Sequence, residues 1–352
     1  MASTMNNSSI PQVTRWSTLS ILAVAGVVCA QVGLAFLPLI APEAWIERLT
    51  VLFIYGILAL MWNALAGYAG LLSVGQQAFF GLGAYFAVRL ADAGIPAYAA
   101  LVAAAVLTGL LSWPLSLLML RLKEGEFAIG MWVMASLAHM LVNVDPMIQG
   151  ETGTSLISLQ QIDPAGRRLY TYWAALGAMV LLAWGVYGML RGRVGTAAQA
   201  IRDNEEAAMS VGVRVVATKR LIFVLSAFGC AVAGTLWLAN SITFQPKAYF
   251  SVQWTAFMIF MVLVGGIGTF EGPILGAVIF FLVETFFGAA GVAYLIGLGV
   301  TAVLFALLLP RGLWGWVEQR FGVRVLPVGY RLVIDRTGDR PVRPSAAGGA
   351  QA

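Results

Sequence analysis

Charge is scarce in this sequence: only 11% of the 352 residues are Asp, Glu, Lys or Arg, whereas 60% are hydrophobic. A soluble domain carries about 25% charged residues to keep its surface wet, so this composition excludes a soluble protein. It also excludes a disordered chain, which needs low hydrophobicity and high net charge. Because the apolar runs are long and unbroken, we predict helical spans rather than the alternating strands of a barrel, and hence an all-α polytopic membrane protein.

Reactive and metal-binding side chains are also few. The single histidine, His139, cannot form a metal cluster, and Cys29 and Cys230 lie inside apolar runs as small hydrophobic residues. None of the three lysines stands in the phosphate-binding pattern Gly-x-x-x-x-Gly-Lys-[Ser/Thr]. Acidic residues are sparse within the apolar runs, which argues against ion-coupled transport. We expect no enzyme activity, no cofactor, no metal and no nucleic-acid partner, so another chain must drive any active transport.

Ten apolar segments are candidates for membrane spans, each of which needs roughly 20 apolar residues. They cover residues 18–41, 50–65, 71–89, 97–120, 127–144, 170–190, 221–241, 252–264, 273–287 and 292–309. The eighth and ninth are short and interrupted by glycine. The chain is therefore divided into an N-terminal segment (1–17), a transmembrane domain (18–309) and a basic tail (310–352).

Basic residues indicate the orientation, because cytoplasmic segments carry an excess of Lys and Arg. With ten helices and a cytoplasmic N-terminus, 16 of the 21 basic residues lie in cytoplasmic segments and five lie outside. We therefore predict that both termini are cytoplasmic, with the longest external loop at 145–169 and the longest cytoplasmic loop at 191–220. The net charge of +5 reflects this topology, and the basic tail is expected to neutralise lipid headgroups.

The cytoplasmic loop contains a candidate docking helix within residues 196–212. Ala197, Ile201, Ala208 and Val211 fall near one helical stripe, and Gly212 is a plausible terminator. Such a helix cannot bury its apolar stripe within its own loop. It could lie on lipid headgroups, but such helices are rich in Lys and Arg, whereas three acids outnumber one Arg here. The pattern therefore favours a protein partner.

Three stretches of the chain resemble one family. The run Glu206-Ala207-Ala208-x-x-x-Gly212 is similar to a signature of ABC-importer membrane subunits. Residues 67–85 (GYAGLLSVGQQAFFGLGAY) and 265–277 (GGIGTFEGPILGA) are similar to two glycine-rich motifs of the permeases that import branched-chain (hydrophobic) amino acids, and residues 309–313 resemble their C-terminal junction. The resemblance covers roughly residues 55–313 and favours the larger, Liv-M type.

This resemblance implies an ABC-importer permease fold in the bacterial inner membrane. It implies as partners, besides the lipid bilayer, a shorter Liv-H-type permease, two cytoplasmic ABC ATPases and a periplasmic substrate-binding protein. The expected solute is a branched-chain or other small amino acid, but relatives that carry urea, amides or aromatic acids leave those solutes open. An autonomous channel is a further alternative. Coupling to the ATPases is expected at Glu205, Glu206, Ala207, Ala208 and Gly212.

Glycine-rich and polar positions predict where the pathway or its gate lies. Irregular backbone at membrane depth is tolerated only against protein or water, and polar amides avoid lipid. The candidates are Asn63, Ser73, Gly75, Gln76, Gln77, Gly81, Gly265, Gly266, Gly268, Gly272 and Pro273. Close helix packing alone explains the glycines equally well. Members of the family commonly carry His where Gln76 stands, so a pH-sensitive role of that position is not expected.

Overall fold

The computed structural model describes residues 12–14, 18–321, 325–326 and 331–333, so the predicted N-terminal segment (1–17) and tail (310–352) fall partly outside it. Within the described residues the chain is mostly helical. The longer helices are α1 (Thr18–Phe36), α2 (Glu43–Asn63), α3 (Gln77–Asp92), α4 (Ala97–Met119), α5 (Glu124–Asn143), α7 (Pro164–Arg191), α10 (Val215–Ser241), α12 (Gln253–Gly265), α13 (Gly272–Phe287) and α14 (Val292–Leu308). The shorter ones are α6 (Ile157–Gln160), α8 (Arg193–Asp203), α9 (Glu205–Ser210), α11 (Pro246–Tyr249) and α15 (Gly312–Phe321).

Nine helical stretches in the described part of the chain are long and apolar enough to cross a membrane. They correspond to all the predicted spans except the third, which contains α3. At 16 residues, α3 is shorter than each of these nine stretches but lies inside the same bundle, against α4, α5 and α10. The prediction of an all-α polytopic membrane protein is confirmed.

The third span begins later than we predicted, because residues 71–76 are not helical. A π-helical turn, Ala64–Tyr68, follows α2, and the chain then turns back into the bundle as an irregular segment. The Trp62 indole donates to the Ser73 carbonyl at 3.0 Å, and the Gly75 N–H donates to the Ser73 hydroxyl at 3.3 Å. These hydrogen bonds satisfy backbone groups that leave the helix inside a membrane protein, and a hydropathy pattern does not predict them.

Helix α2 lies at the centre of the bundle. Its residues from Phe53 to Asn63 are all buried, and it packs against α7, α10, α12 and α13. Helix α10 packs in turn against α3 and α4, whereas α1 and α14 are largely exposed. Because α2 runs through the core from one end of the bundle to the other, it contacts both of the sites described below.

Two short antiparallel strand pairs join distant parts of the chain. Strand β1 (Gln12–Thr14) pairs with β4 (Arg331–Val333), so both ends of the described chain lie on one side of the bundle. At the opposite end, β2 (Thr154–Ser155) pairs with β3 (Thr243–Phe244). The span predicted from residue 170 begins six residues earlier, because the Asp163 side chain caps α7 by accepting from the Gly166 N–H at 3.1 Å.

An ion pair fixes the segment that follows α5. Arg89 of α3 lies 3.2 Å from the Asp145 carboxylate, to which the Tyr85 hydroxyl and the Met147 N–H donate. Burial acts to raise the pKa of Asp145, but the two hydrogen bonds and the charge of Arg89 outweigh it and hold that pKa below its usual value. The connection is therefore present at neutral pH, and acid weakens it only as the pH falls through this lowered pKa.

Candidate functional site

The predicted cytoplasmic loop (191–220) contains two short helices, α8 and α9, instead of the single helix that we predicted. Helix α8 ends at Asp203, and the side chain of the next residue, Asn204, accepts a hydrogen bond from the Ala207 N–H at 2.9 Å and so caps α9. Asparagine is a favoured N-cap residue, and Glu205 and Glu206 fall in the first turn, where negative charge is favourable. The run Asn-Glu-Glu is therefore a helix-start signal that is present in the sequence, and our prediction of a single helix overlooked it.

Gly212 lies two residues after the end of α9, where the sequence pattern predicted a helix terminator. Its φ is +85°, and the N–H groups of Gly212 and Val213 donate to the carbonyls of Met209 and Ala208, each at 3.0 Å. This is the Schellman arrangement, which needs a residue in the left-handed region and therefore favours glycine.

The apolar residues of α8 and α9 divide into a buried and an exposed group. Ile201, Ala208 and Val215 pack together and are buried, so the loop covers part of its own stripe, contrary to our expectation. Val211, which we placed in the same stripe, is exposed, and so is Met209 beside it. The surface of α9 therefore presents a small apolar area.

The remaining coupling candidates lie on the exposed side of α9. Glu205, Glu206 and Ala207 are all exposed. Glu205 pairs with Lys219 at 2.6 Å, which ties α9 to the first turns of α10. Glu206 forms no ion pair with any described residue. The exposed surface of α9 therefore consists of the negative charge of Glu206 beside the apolar side chains of Met209 and Val211.

Arg202 connects α8 directly to the transmembrane helices. Its Nη1 donates to the Gly67 carbonyl at 2.8 Å, across 135 residues of sequence. Asn63, at the end of α2, donates from Nδ2 to the Thr269 carbonyl at 2.8 Å and accepts from the Gly268 N–H at 2.9 Å. We call these five residues the Arg202 cluster. It joins α8, the end of α2 and the loop between α12 and α13 by hydrogen bonds to the backbone.

The loop between α12 and α13 is held in one shape by its own threonine. The Thr269 hydroxyl donates to the Gly266 carbonyl at 2.7 Å and accepts from the Gly272 N–H at 3.1 Å. Gly268 has a φ of +74°, so a side chain there would be strained as well as crowded by Arg202. Pro273 occupies the first turn of α13, where its missing N–H costs nothing.

Glycines also bring α12 and α13 into close contact. A Cβ at Gly265 would overlap the Gly272 carbonyl oxygen, and one at Gly276 would overlap the Met261 carbonyl oxygen. Backbones this close pack as one unit, as small residues allow in membrane proteins. The structure therefore places Asn63, Gly265, Gly266, Gly268, Gly272 and Pro273 of the predicted pathway set together at one end of the bundle.

The other predicted pathway residues lie along the irregular segment and α3. Ser73, Gly75, Gln76 and Gln77 are buried. The Gln77 amide accepts from the Thr255 hydroxyl of α12 and donates to the Val74 carbonyl at 3.3 Å. Both amide atoms of Gln76, by contrast, have no hydrogen-bond partner among the described residues.

Gly75 and Gly81 permit close contacts with other helices. A Cβ at Gly75 would overlap the Met131 carbonyl oxygen of α5, and one at Gly81 would lie 2.6 Å from the ring of Phe250. None of the predicted pathway residues lines the large cavity described next. Their assignment to a pathway stays a prediction.

The end of the bundle opposite the Arg202 cluster contains a cavity of about 940 Å³. It is lined by the segments around residues 151–152, 245–254 and 288–295 and reaches Tyr55 of α2. Glu284 of α13 also lines it, next to Tyr55. We call it the Glu284 cavity. The sequence does not predict this cavity, because its lining comes from six separate α-helices and the segments between them, which no local pattern connects.

Three residues of the Arg202 cluster and its surroundings were also missed. Arg202 was counted only as one charge among acids, Thr269 only as part of a motif, and Asn204 not at all. The Asn204 signal was available in the sequence. The long-range partners of Arg202 and Thr269 were not, because each contacts backbone that becomes adjacent only in the folded chain.

Comparison with known proteins identifies the class. Residues 45–309 match the family described as the permease component of branched-chain amino acid transport systems. Because this match spans most of the chain, the chain belongs to that family. It is a multi-pass membrane permease subunit of an ABC importer located in the inner membrane.

Two curated relatives are similar over much of their length. The chain is 26% identical over 303 residues to the high-affinity branched-chain amino acid transport system permease protein LivM of Salmonella typhimurium. The LivM protein of Escherichia coli shows the same identity over the same length. In each case the match covers 78% of this chain and 71% of the relative. No solved structure gives a significant match to this chain.

Proposed function

We propose that this chain forms one half of the translocation pathway for branched-chain or other small amino acids, and that α8 and α9 receive the motion of a separate ATPase. The solute class is supported by the transport systems to which the two relatives belong. The observation that carries the coupling role is the Arg202 cluster. Through it, an exposed helix pair is hydrogen-bonded to the ends of α2 and of the α12–α13 pair.

The partners follow from the same surface. We propose two cytoplasmic ATPases, of which one docks on the face formed by Glu206, Met209 and Val211. A second, Liv-H-type permease would complete the pore, and a periplasmic protein would deliver the solute. An acidic face with two exposed apolar side chains fits a protein better than anionic lipid, which attracts basic helices. We propose transport rather than catalysis, with no cofactor bound by this chain.

We propose that the Arg202 cluster and both termini face the cytoplasm, with the Glu284 cavity outside. The pairing of β1 with β4 supports termini on one side. The excess of basic residues in the segments 121–123, 191–220 and 311–343 supports that side as cytoplasmic. On this assignment the loop 191–220 is the coupling loop and residues 145–169 are external.

A charge reversal on α9 tests the coupling role. In the complete importer, we expect Glu206→Lys to lower amino acid uptake by at least about tenfold, because it places a repulsive charge in the docking surface. Glu206 is exposed and not ion-paired within the described chain, so membrane insertion should be unchanged. Uptake is measured with radiolabelled leucine, and the amount of protein by immunoblotting of membranes.

A matched control makes the result specific. Glu126 is also an exposed glutamate, in the first turn of α5. Glu126→Lys makes the same chemical change away from α9 and should leave uptake within about twofold of the unmodified importer, as surface substitutions usually do. Normal uptake by the Glu206→Lys variant, or an equal loss in both variants, would contradict the assignment of α9 as the docking helix.

A further inference from the structure

Two polar side chains that line the Glu284 cavity lack an ion pair or a hydrogen-bond partner within the described protein. Glu284 takes part in no ion pair among the described residues, although it lies within a membrane-spanning helix. Tyr294 is only 8% exposed, and its hydroxyl also lacks a hydrogen-bond partner in the described structure. Ionisable groups at membrane depth are costly and usually functional. A carboxylate without an ion pair and a hydroxyl without a hydrogen-bond partner therefore face the same cavity, which is the arrangement expected of a binding site.

Aromatic rings form the walls around Glu284. Trp237 stacks on Tyr55 with ring centroids 6.3 Å apart, and Trp254 meets Trp237 edge to face at 4.8 Å. Phe257 lies next to Trp254 at 6.1 Å. All of these side chains line the cavity. Aromatic faces attract cations and also accommodate apolar groups, and a carboxylate among them completes a site for an ammonium group.

We propose that Glu284, Tyr55, Tyr294 and the rings of Trp237, Trp254 and Phe257 form a binding site for the ammonium group of a small solute with an apolar side chain. The inference rests on the proposed function only in placing the cavity on the path of an imported solute. It narrows the substrate class. Urea and amides carry no cation, and an aromatic acid without an amino group would be repelled by Glu284, whereas a zwitterionic amino acid offers both an ammonium and an apolar side chain.

The cavity is large enough for such a solute and some water. Its volume of about 940 Å³ lies at the upper end of the usual range for small-molecule sites, about 300 to 1,000 Å³. The other charged side chains that line the cavity are either paired within the protein or exposed, so Glu284 is the carboxylate available to bind an ammonium group. Glu151 lies 3.0 Å from His139 and accepts from the Lys247 N–H, and Lys247 itself is exposed at the rim.

Gly288 offers a reporter position directly beside the site. A Cβ built on Gly288 would lie 3.5 Å from Glu284 Cγ, an ordinary contact, and the φ of −56° suits any residue. We therefore choose Gly288→Cys in a Cys29→Ser background, since Cys29 is exposed and Cys230 is buried. A water-soluble maleimide added outside right-side-out vesicles that carry the complete importer should label this cysteine.

Three solutes of matched shape distinguish the contribution of the ammonium group to binding from that of the rest of the molecule. At concentrations well above its Kd, leucine should slow labelling by about tenfold. Its carboxylate-free analogue 3-methylbutylamine should also protect, whereas 4-methylpentanoate, which lacks the amino group, should not. Glu284→Gln should weaken protection by leucine about 10- to 100-fold, and Glu284→Asp, which keeps the charge, should retain most of it. Equal membrane levels and thermal stabilities exclude misfolding as the cause.

Equal protection by 4-methylpentanoate, no protection by any of the three solutes, or undiminished protection in the Glu284→Gln variant would overturn the proposal. The labelling needs no ATP, so it distinguishes this inference from the proposed function. Protection without ATP-dependent leucine uptake would keep the site and contradict the transport role. Uptake that survives Glu284→Gln unchanged would keep the transport role and remove the site.

Discussion

The two ends of α13 lie in opposite surroundings. At its start, Gly272 is packed against Gly265 so closely that a side chain would overlap backbone, and the Arg202 cluster pairs the nearby N–H and carbonyl groups. Near its other end, Glu284 faces a cavity of about 940 Å³ in which the Tyr294 hydroxyl has no partner among the described residues.

This difference shows how one helix can serve two requirements. Glycines and backbone hydrogen bonds leave no space at one end, and packing this close suits the coupling role that we propose for it. Aromatic walls and a lone carboxylate at the other end leave room and unsatisfied binding capacity, as a site that must bind and release a solute requires. The predictions below, together with those for Glu206 and Glu284 above, test the two ends separately.

The largest effect is expected from breaking the Arg202 cluster. Arg202→Ala removes a charge-assisted hydrogen bond to the Gly67 carbonyl, worth about 1.5 to 3 kcal/mol, and with it the direct link from α8 to α2. We expect leucine uptake to fall at least about tenfold while ATP hydrolysis by the complete importer continues. Uptake and hydrolysis are measured on the same proteoliposomes.

Arg193→Ala on the same helix serves as the control, because Arg193 is exposed at the first residue of α8. It should leave both uptake and hydrolysis near their original values. If Arg202→Ala transports as well as Arg193→Ala, then α8 is not connected to the pathway through this residue.

A smaller effect, on stability, is expected from separating α12 and α13. Gly276→Ala places a methyl group against the Met261 carbonyl oxygen and should lower the free energy of unfolding by about 1 to 3 kcal/mol. Gly297→Ala on α14 meets no atom within 4 Å and should be neutral or stabilise by up to about 1 kcal/mol. Thermal unfolding of the purified complex measures both. A harmless Gly276→Ala would show that the contact is not tight.

The smallest effect is expected at Gln76. Because neither of its amide atoms has a partner among the described residues, Gln76→Met should change the free energy of unfolding by less than about 0.5 kcal/mol or increase it. The neighbouring Gln77→Met loses hydrogen bonds to Thr255 and Val74 and should cost about 1 to 3 kcal/mol. Equal losses at the two positions would reveal a partner of Gln76 that the described chain does not supply.

The spans could be predicted because the bilayer imposes one local rule, a long apolar helix, that composition alone reveals. The glycine motifs were also visible, and the structure shows what several of them do, such as the close approach of Gly75 to Met131. The irregular segment 71–76 was not predictable in this way. Its apolar residues fit a helix, but in the folded chain Gly70 has a φ of +71° and the Trp62 indole donates to the Ser73 carbonyl.

The candidate site was predictable only in its local parts. The position of Gly212 after a helix followed from glycine's tolerance of positive φ. The break at Asn204 followed from capping chemistry but was overlooked. The contacts of Arg202 with Gly67 and of Asn63 with Thr269 join residues more than 100 positions apart, so no spacing in the sequence encodes them.

Helix α13 connects the Arg202 cluster end of the bundle to the Glu284 cavity as one continuous helix. Gly272 and Glu284 are twelve residues apart, about 18 Å along the axis. A tilt of about 10° pivoting at Gly272 would therefore carry Glu284 through about 3 Å, more than the tolerance of a hydrogen bond. A tilt directed away from α2 would separate the Glu284 carboxylate from Tyr55, whereas Asn63 at the end of α2 would stay bonded to Gly268 and Thr269. The cavity between the two helices would then widen, and the binding of the solute to Glu284 would weaken when the motion of the ATPase reaches α13.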